Sequence, residues 1–225
     1  MIADHIRKVN QEIPSGVKLI AVSKTMPVSA LNLAYQAGQR RFGENKVQEL
    51  IAKQVEMPAD VAWHFIGHLQ TNKVKALVQV VNVIESVDSF RLLTEINKQA
   101  AKINKRIDCL LQFHIAEEET KFGLDLSEAV DMLLSESFKA MKNIRICGVM
   151  GMATYTEDVN QLRKEFSQLR TYFRELKSRF FENDAAFCEI SMGMSGDYPI
   201  AIEEGSTMVR IGSLIFGERN YGTNS

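Results

Sequence analysis

The sequence predicts a closed (β/α)8 barrel, on three observations. Eight short β-type runs recur along the chain, at residues 17–23, 40–45, 61–67, 81–87, 107–115, 143–151, 185–193 and 206–212. Helix-period stretches separate them, and alternating βα units imply a parallel sheet with helices on its outside. Eight such units in 225 residues match a barrel near the small end of that fold's size range. The rival is an open doubly wound sheet, whose usual G-x-G-x-x-G turn after the first strand is missing; "SKTMP" stands there instead.

The elements follow in order. Residues 1–13 place Ile2, Ile6, Val9 and Ile13 on one helical face, with Asp4, Arg7, Lys8 and Glu12 breaking any apolar run. That pattern predicts an extra N-terminal packing helix and excludes a signal peptide. After the first strand, residues 27–38 read as a helix: Pro27 suits its first position, and Gly38 suits a left-handed position past its end. The longest helical pattern runs from 158 to 180. With no repeat, linker or low-complexity tract, residues 1–225 read as one domain. The acidic run from Glu117 to Glu119 reads as a solvated loop after the fifth strand.

Composition narrows the function. The 27 basic and 28 acidic side chains nearly cancel, so the chain carries no whole-domain footprint for nucleic acid or an anionic membrane. No apolar stretch reaches the length of a membrane span, and a cytoplasmic protein is expected. Cys109, Cys147 and Cys188 lie far apart in apolar runs, without C-x-x-C or metal-ligand spacing, and read as buried reduced thiols. With no obvious apolar surface patch, a monomer is expected.

In a parallel barrel the working face is the rim at the carboxyl ends of the strands. Lys24 closes the first strand and Asn45 the second; His64, Gly67 and His68 lie at or after the third, and His114 ends the fifth. Met150 and Gly151 end the sixth, and the Met150 and Met152 pair reads as mouth packing. "SMGMSGD", from Ser191 to Asp197, follows the seventh, and Arg210, Gly212 and Ser213 stand at the end of the eighth. Gly193, Ser195 and Gly196 before one helix, and Gly212 with Ser213 in the next loop, offer backbone N–H groups, hydroxyls and helix starts suited to an anion. Phosphate sites in these barrels often use the loops after strands seven and eight. A lysine across the rim from a phosphate has three readings: a Schiff-base amine, a point charge for the phosphate, or an ordinary exposed lysine. His64 and His68 read equally as acid/base groups and as strand-end histidines bonded to backbone.

"AVSKTMP", "RFGENKVQE", "WHFIGHLQTNK", "KFGL", "GVMGMAT" and "SMGMSGDYPIAIEEGSTMVRIGSLIFG" occur in order from about Val17 to Tyr221. Together they resemble the pyridoxal 5′-phosphate homeostasis protein family, single-domain relatives of the N-terminal barrel of alanine racemase. The one slight departure is Lys46, after "GEN", where an aromatic is also common. The resemblance implies that Lys24 holds pyridoxal phosphate as a Schiff base and that Asn45 lines the cofactor. It also implies that Ser195, Gly212 and Ser213 hold the phosphate and that Arg210 faces the pyridine nitrogen. A guanidinium there leaves that nitrogen unprotonated, which weakens the ring as an electron sink. The second domain of alanine racemase, which supplies an opposing tyrosine, is expected to be absent, so the ring face away from Lys24 is expected to be open to solvent. The implied role is cofactor homeostasis without substantial catalysis, with apo pyridoxal-phosphate enzymes as recipients. An amino-acid racemase-like enzyme is the alternative, and a cofactor-free lysine aldolase acting on a sugar phosphate is the reading if the resemblance misleads.

Overall fold

A computed structural model describes residues 1–117 and 122–217. Tyr221 and most of the acidic run, Glu118 and Glu119, fall outside them; Glu117 is exposed and paired with Lys164 at 3.1 Å.

The eight strands form one closed parallel barrel in sequence order. They are β1 (Lys18–Val22), β2 (Arg41–Glu44), β3 (Ala62–Phe65), β4 (Val83–Val87), β5 (Ile107–Phe113), β6 (Ile144–Gly151), β7 (Glu189–Ser191) and β8 (Met208–Ile211). Every strand lies inside a run that the sequence marks as β type. The helices are α1 (Ile2–Glu12), α2 (Val28–Gln36), α3 (Val47–Gln54), α4 (Val74–Leu77) after a short 3-10 turn, α5 (Phe90–Ala101), α6 (Leu126–Leu134), α7 (Glu136–Lys139), α8 (Val159–Phe180), α9 (Tyr198–Glu203) and α10 (Ser213–Phe216). Pro27 sits one residue before α2, in extended conformation, while Gly38 does take φ of 97° past its end.

The main core lies between the outward strand faces and the helices, where Phe42, Phe65, Phe113, Phe166 and Phe187 are fully buried. A second, smaller cluster of Leu110, Cys147 and Met150 fills part of the barrel interior, with Met152 against it. The register shift between β5 and β6 explains how Met150 reaches that interior. Cys109 pairs with Ile146 and Leu110 with Gly148, so Cys147 is the extra residue of a bulge. A one-residue insertion flips side-chain alternation. Ile144 and Ile146 therefore face the helices before the bulge and Val149 after it, which turns Cys147 and Met150 inward. Gly148 takes φ of 152° there, and a Cβ would lie 1.9 Å from the Glu189 carbonyl oxygen.

Cys109 and Cys147 are buried, and burial pushes the Cys147 thiol up to about 12. Cys188 departs from expectation: it is exposed. It sits just before the short strand β7, where its backbone N–H bonds the Cys147 carbonyl.

Candidate functional site at the carboxyl rim

Lys24 lies two residues past β1, half-buried. Its predecessor Ser23 turns outward, donating to Glu44 Oε1 at 2.5 Å. Alternation then assigns Lys24 to the barrel's inner side, with Ile20 and Val22. Asn45 follows β2, half-buried at the same rim. Gly67 packs against it so closely that a Cβ would meet the Asn45 carbonyl oxygen at 2.4 Å, which accounts for the glycine after β3.

Arg210 is below the rim. It is the third residue of β8 and is only 3% exposed, so the expectation of a rim arginine is corrected to an interior one. Its Nη1 donates to Ser191 Oγ at 2.5 Å and its Nη2 to the Gly151 carbonyl at 2.9 Å. Glu85, fully buried on β4, lies 3.9 Å from the guanidinium and accepts from Ser191 Oγ at 2.6 Å. Its other oxygen is 2.6 Å from His64 Nδ1. Thus His64 bonds a carboxylate inside the barrel, neither a backbone group nor solvent. Burial raises the Glu85 carboxyl, but the adjacent His64, Arg210 and Ser191 outweigh it and hold the group below the usual range. Burial also lowers the Arg210 guanidinium against the pull of Glu85 and Asp197, from a starting value so high that it stays charged.

His68 is exposed, 2.9 Å from Asp88 through Nδ1, and stacked on Phe122 with ring centroids 3.9 Å apart.

The loops after β7 and β8 are tied together. The Arg210 N–H bonds the Gly193 carbonyl at 2.9 Å, and the Gly212 N–H bonds Ser195 Oγ at 3.3 Å. Gly193 takes φ of 95°, and a Cβ there would lie 2.6 Å from that of Ala201. Met194 N–H is held by Asp197 Oδ1 at 2.5 Å. Beyond Gly212, α10 opens at Ser213, where the first N–H groups have no intrahelical acceptor. Ser195 is half-buried and Ser213 exposed. The amine, hydroxyls and helix-start N–H groups at the rim, with a buried cation beneath it, are a donor set that fits an aldehyde-bearing phosphate ester.

Strand-end reasoning missed Glu44, Lys53 and Glu85, all buried, and set Ser191 after the seventh strand, whereas it is the buried last residue of β7. The available signal was the carboxylates in "FGEN" and "IESV", polar residues inside runs otherwise read as buried strand.

These features define a class: a (β/α)8 barrel with an inner-face lysine after β1 and glycine- and serine-containing loops tied together after β7 and β8. Residues 1–220 match the model of the alanine racemase N-terminal domain. The pyridoxal phosphate homeostasis protein of Aquifex aeolicus is 38% identical over 224 residues, which cover 98% of this chain and 96% of that one. The chain belongs to the pyridoxal phosphate homeostasis protein family. Among solved structures, PipY of Synechococcus elongatus without pyridoxal phosphate aligns with a TM-score of 0.90 at 36% identity, covering 96% of this chain and 100% of that one. PipY with pyridoxal phosphate bound aligns at 0.87 and 35%, with the same coverage. Alanine racemase of Clostridium difficile shares the fold, with a TM-score of 0.77 at 11% identity over 97% of this chain and 57% of its own.

Proposed function

We propose that this protein binds pyridoxal phosphate at the barrel mouth and serves its homeostasis, holding the cofactor without substantial turnover. One observation carries the reading: an inner-face lysine, a buried arginine and the Ser195–Gly212 loops share one barrel end, in a chain 35% identical to a protein solved with that cofactor bound. Lys24 holds the aldehyde carbon as a Schiff base, and Asn45 lines the ring. Ser195, Gly212 and Ser213 hold the phosphate, while Arg210 faces the pyridine nitrogen from below. Bound pyridoxal phosphate supplies an electron sink for carbanions beside an amino-acid nitrogen. Arg210, fixed by Ser191 and the Gly151 carbonyl, cannot share a proton with the ring nitrogen, so this chain keeps that sink weak. The relatives are named as homeostasis proteins, which favours holding and donating over catalysis. Among the described residues no helix is long and apolar enough to cross a membrane. A monomer in the cytoplasm, with apo pyridoxal-phosphate enzymes as recipients, completes the reading.

Protein loaded with pyridoxal phosphate and freed of excess cofactor by gel filtration stays yellow, with a protein-borne visible band that borohydride bleaches and Lys24→Ala abolishes; a colourless protein fraction overturns the reading. Loaded protein activates an apo pyridoxal-phosphate enzyme at least as well as free cofactor does. Conversion of L-alanine to its D-isomer at ordinary enzyme rates would establish the racemase instead.

A further inference from the structure

Outside the barrel wall, directly behind Lys24, lies a buried charge cluster that the cofactor site does not use. Lys53 of α3, with its side chain 6% exposed, lies 2.8 Å from Glu44 Oε1 and 2.7 Å from Glu49 Oε1. We propose that Lys53, gripped by Glu44 and Glu49, is a positioning residue for Lys24, and that this cluster sets how tightly the rim lysine holds its cofactor. The inference rests on the reading of Lys24 as the cofactor lysine.

The bonds converge on the two peptide units that flank Lys24. Lys53 Nζ donates to the Ser23 carbonyl at 2.7 Å, and Ser23 Oγ donates to Glu44 Oε1 at 2.5 Å. On the other side, the Thr25 N–H donates to Glu49 Oε1 at 2.5 Å. The turn is closed by Met26 N–H to the Ser23 carbonyl at 3.0 Å, and Thr25 Oγ1 caps the Lys24 carbonyl at 2.6 Å. Thr25 takes φ of 68°, a region a β-branched residue avoids unless its surroundings impose it. A buried ion pair gains little stability over apolar side chains of the same volume. α3 already buries Val47 and Leu50 as its apolar face. The cluster's distinctive product is therefore the fixed backbone on both sides of one lysine, and with it the direction of that amine at the mouth. Glu44 Oε2 is buried without a hydrogen-bond partner, so the cluster keeps a polar cost that packing alone would not select.

The experiment compares Lys53→Met, Lys53→Arg and Glu49→Ala with wild type. It reads the pyridoxal phosphate dissociation constant by visible titration and, in cofactor-free protein, the rate at which trinitrobenzenesulfonate modifies Lys24, by peptide mass mapping. Lys53→Met weakens binding at least tenfold and changes the Lys24 rate at least threefold, and Lys53→Arg recovers most of both. Should Lys53→Met fail to fold, Glu49→Ala, whose side chain is half-buried, removes both the Thr25 bond and one of the two carboxylates on Lys53, and moves both readouts in the same sense. Asp108→Asn is the control for general destabilisation. It breaks the Asp108–Arg145 pair, 2.6 Å apart near the amino ends of β5 and β6, and leaves both readouts at wild-type values. Folded Lys53→Met and Glu49→Ala with wild-type affinity and Lys24 reactivity overturn the proposal, as does an Asp108→Asn effect of equal size. A colourless wild type overturns the cofactor reading instead, and the Lys24 reactivity still tests the positioning.

Discussion

Arg210 and Gly193 show how single side chains set the site. Arg210 balances the fully buried Glu85, so Arg210→Gln strips that carboxylate of its guanidinium partner and leaves it only His64 and Ser191. We expect a loss of about 3 kcal/mol in urea denaturation. The same variant shifts the visible band of the loaded protein without abolishing it, because Lys24 is untouched; an unchanged band argues against a pyridine contact. Arg210→Glu would be a poorer probe, since it sets a second carboxylate against Glu85 in a dry interior. At Gly193, with φ of 95° and Ala201 close behind, Gly193→Ala costs about 2 kcal/mol and loosens the loop carrying Ser195. Its signature is a weaker affinity for inorganic phosphate as a competitor of pyridoxal phosphate. Both residues lie in the motifs quoted from the sequence, but their depth did not. Residue type and spacing identify an arginine near a strand end, and only the burial of that strand sets it beneath the rim.

At the scale of elements, α1 braces the phosphate-receptive loops. His5 Nδ1 donates to the Ile215 carbonyl of α10 at 2.9 Å, and Tyr198, at the start of α9, donates to Glu12. Burial and that bond push the Tyr198 phenol up to about 12, so it remains a donor. Ile6 is fully buried and Val9 nearly so. Ile6→Ala therefore costs about 3 kcal/mol and lowers the melting temperature by about 10 °C. If thermal melting is unchanged, α1 is not a structural brace. The helix itself was legible from its apolar spacing; what it braces was not, because Ile215 lies 210 residues away in the chain.

For the whole molecule, two buried carboxylates give stability opposite slopes with pH. The Glu85 carboxyl is held below its usual 4.5 despite burial, by His64, Arg210 and Ser191. It therefore contributes stability that is fully present above 4.5 and is lost as pH falls through its folded value. The Glu44 carboxyl is raised by burial against the donors Lys53 and Ser23, so the folded state binds a proton that the unfolded state releases. Its contribution is present below 4.5 and fades as pH rises through the folded value. Denaturation midpoints measured from pH 3 to 8 should show Glu85→Gln flattening the rise from the acid side, and Glu44→Gln flattening the decline above it. A parallel displacement of both curves without change of slope would show that neither carboxyl titrates on folding.

The sequence by itself determined the barrel, its eight strands, the N-terminal helix and the rim position of Lys24, because periodicity and turn residues are local properties of the chain. It also placed Ser195, Gly212 and Ser213 in adjacent loops, since in a closed parallel barrel β7 and β8 must neighbour each other. Only the tertiary structure decided which polar side chains meet. Glu85 joins His64, Ser191 and Arg210, and Lys53 joins Glu44, Glu49 and the backbone around Lys24, through contacts between separate strands or between a strand and a helix. The bulge at Cys147, which reverses the facing of the rest of β6, was likewise not legible. Such contacts depend on side-chain direction around a closed sheet, and one inserted residue reverses that direction without leaving a mark in hydrophobic pattern.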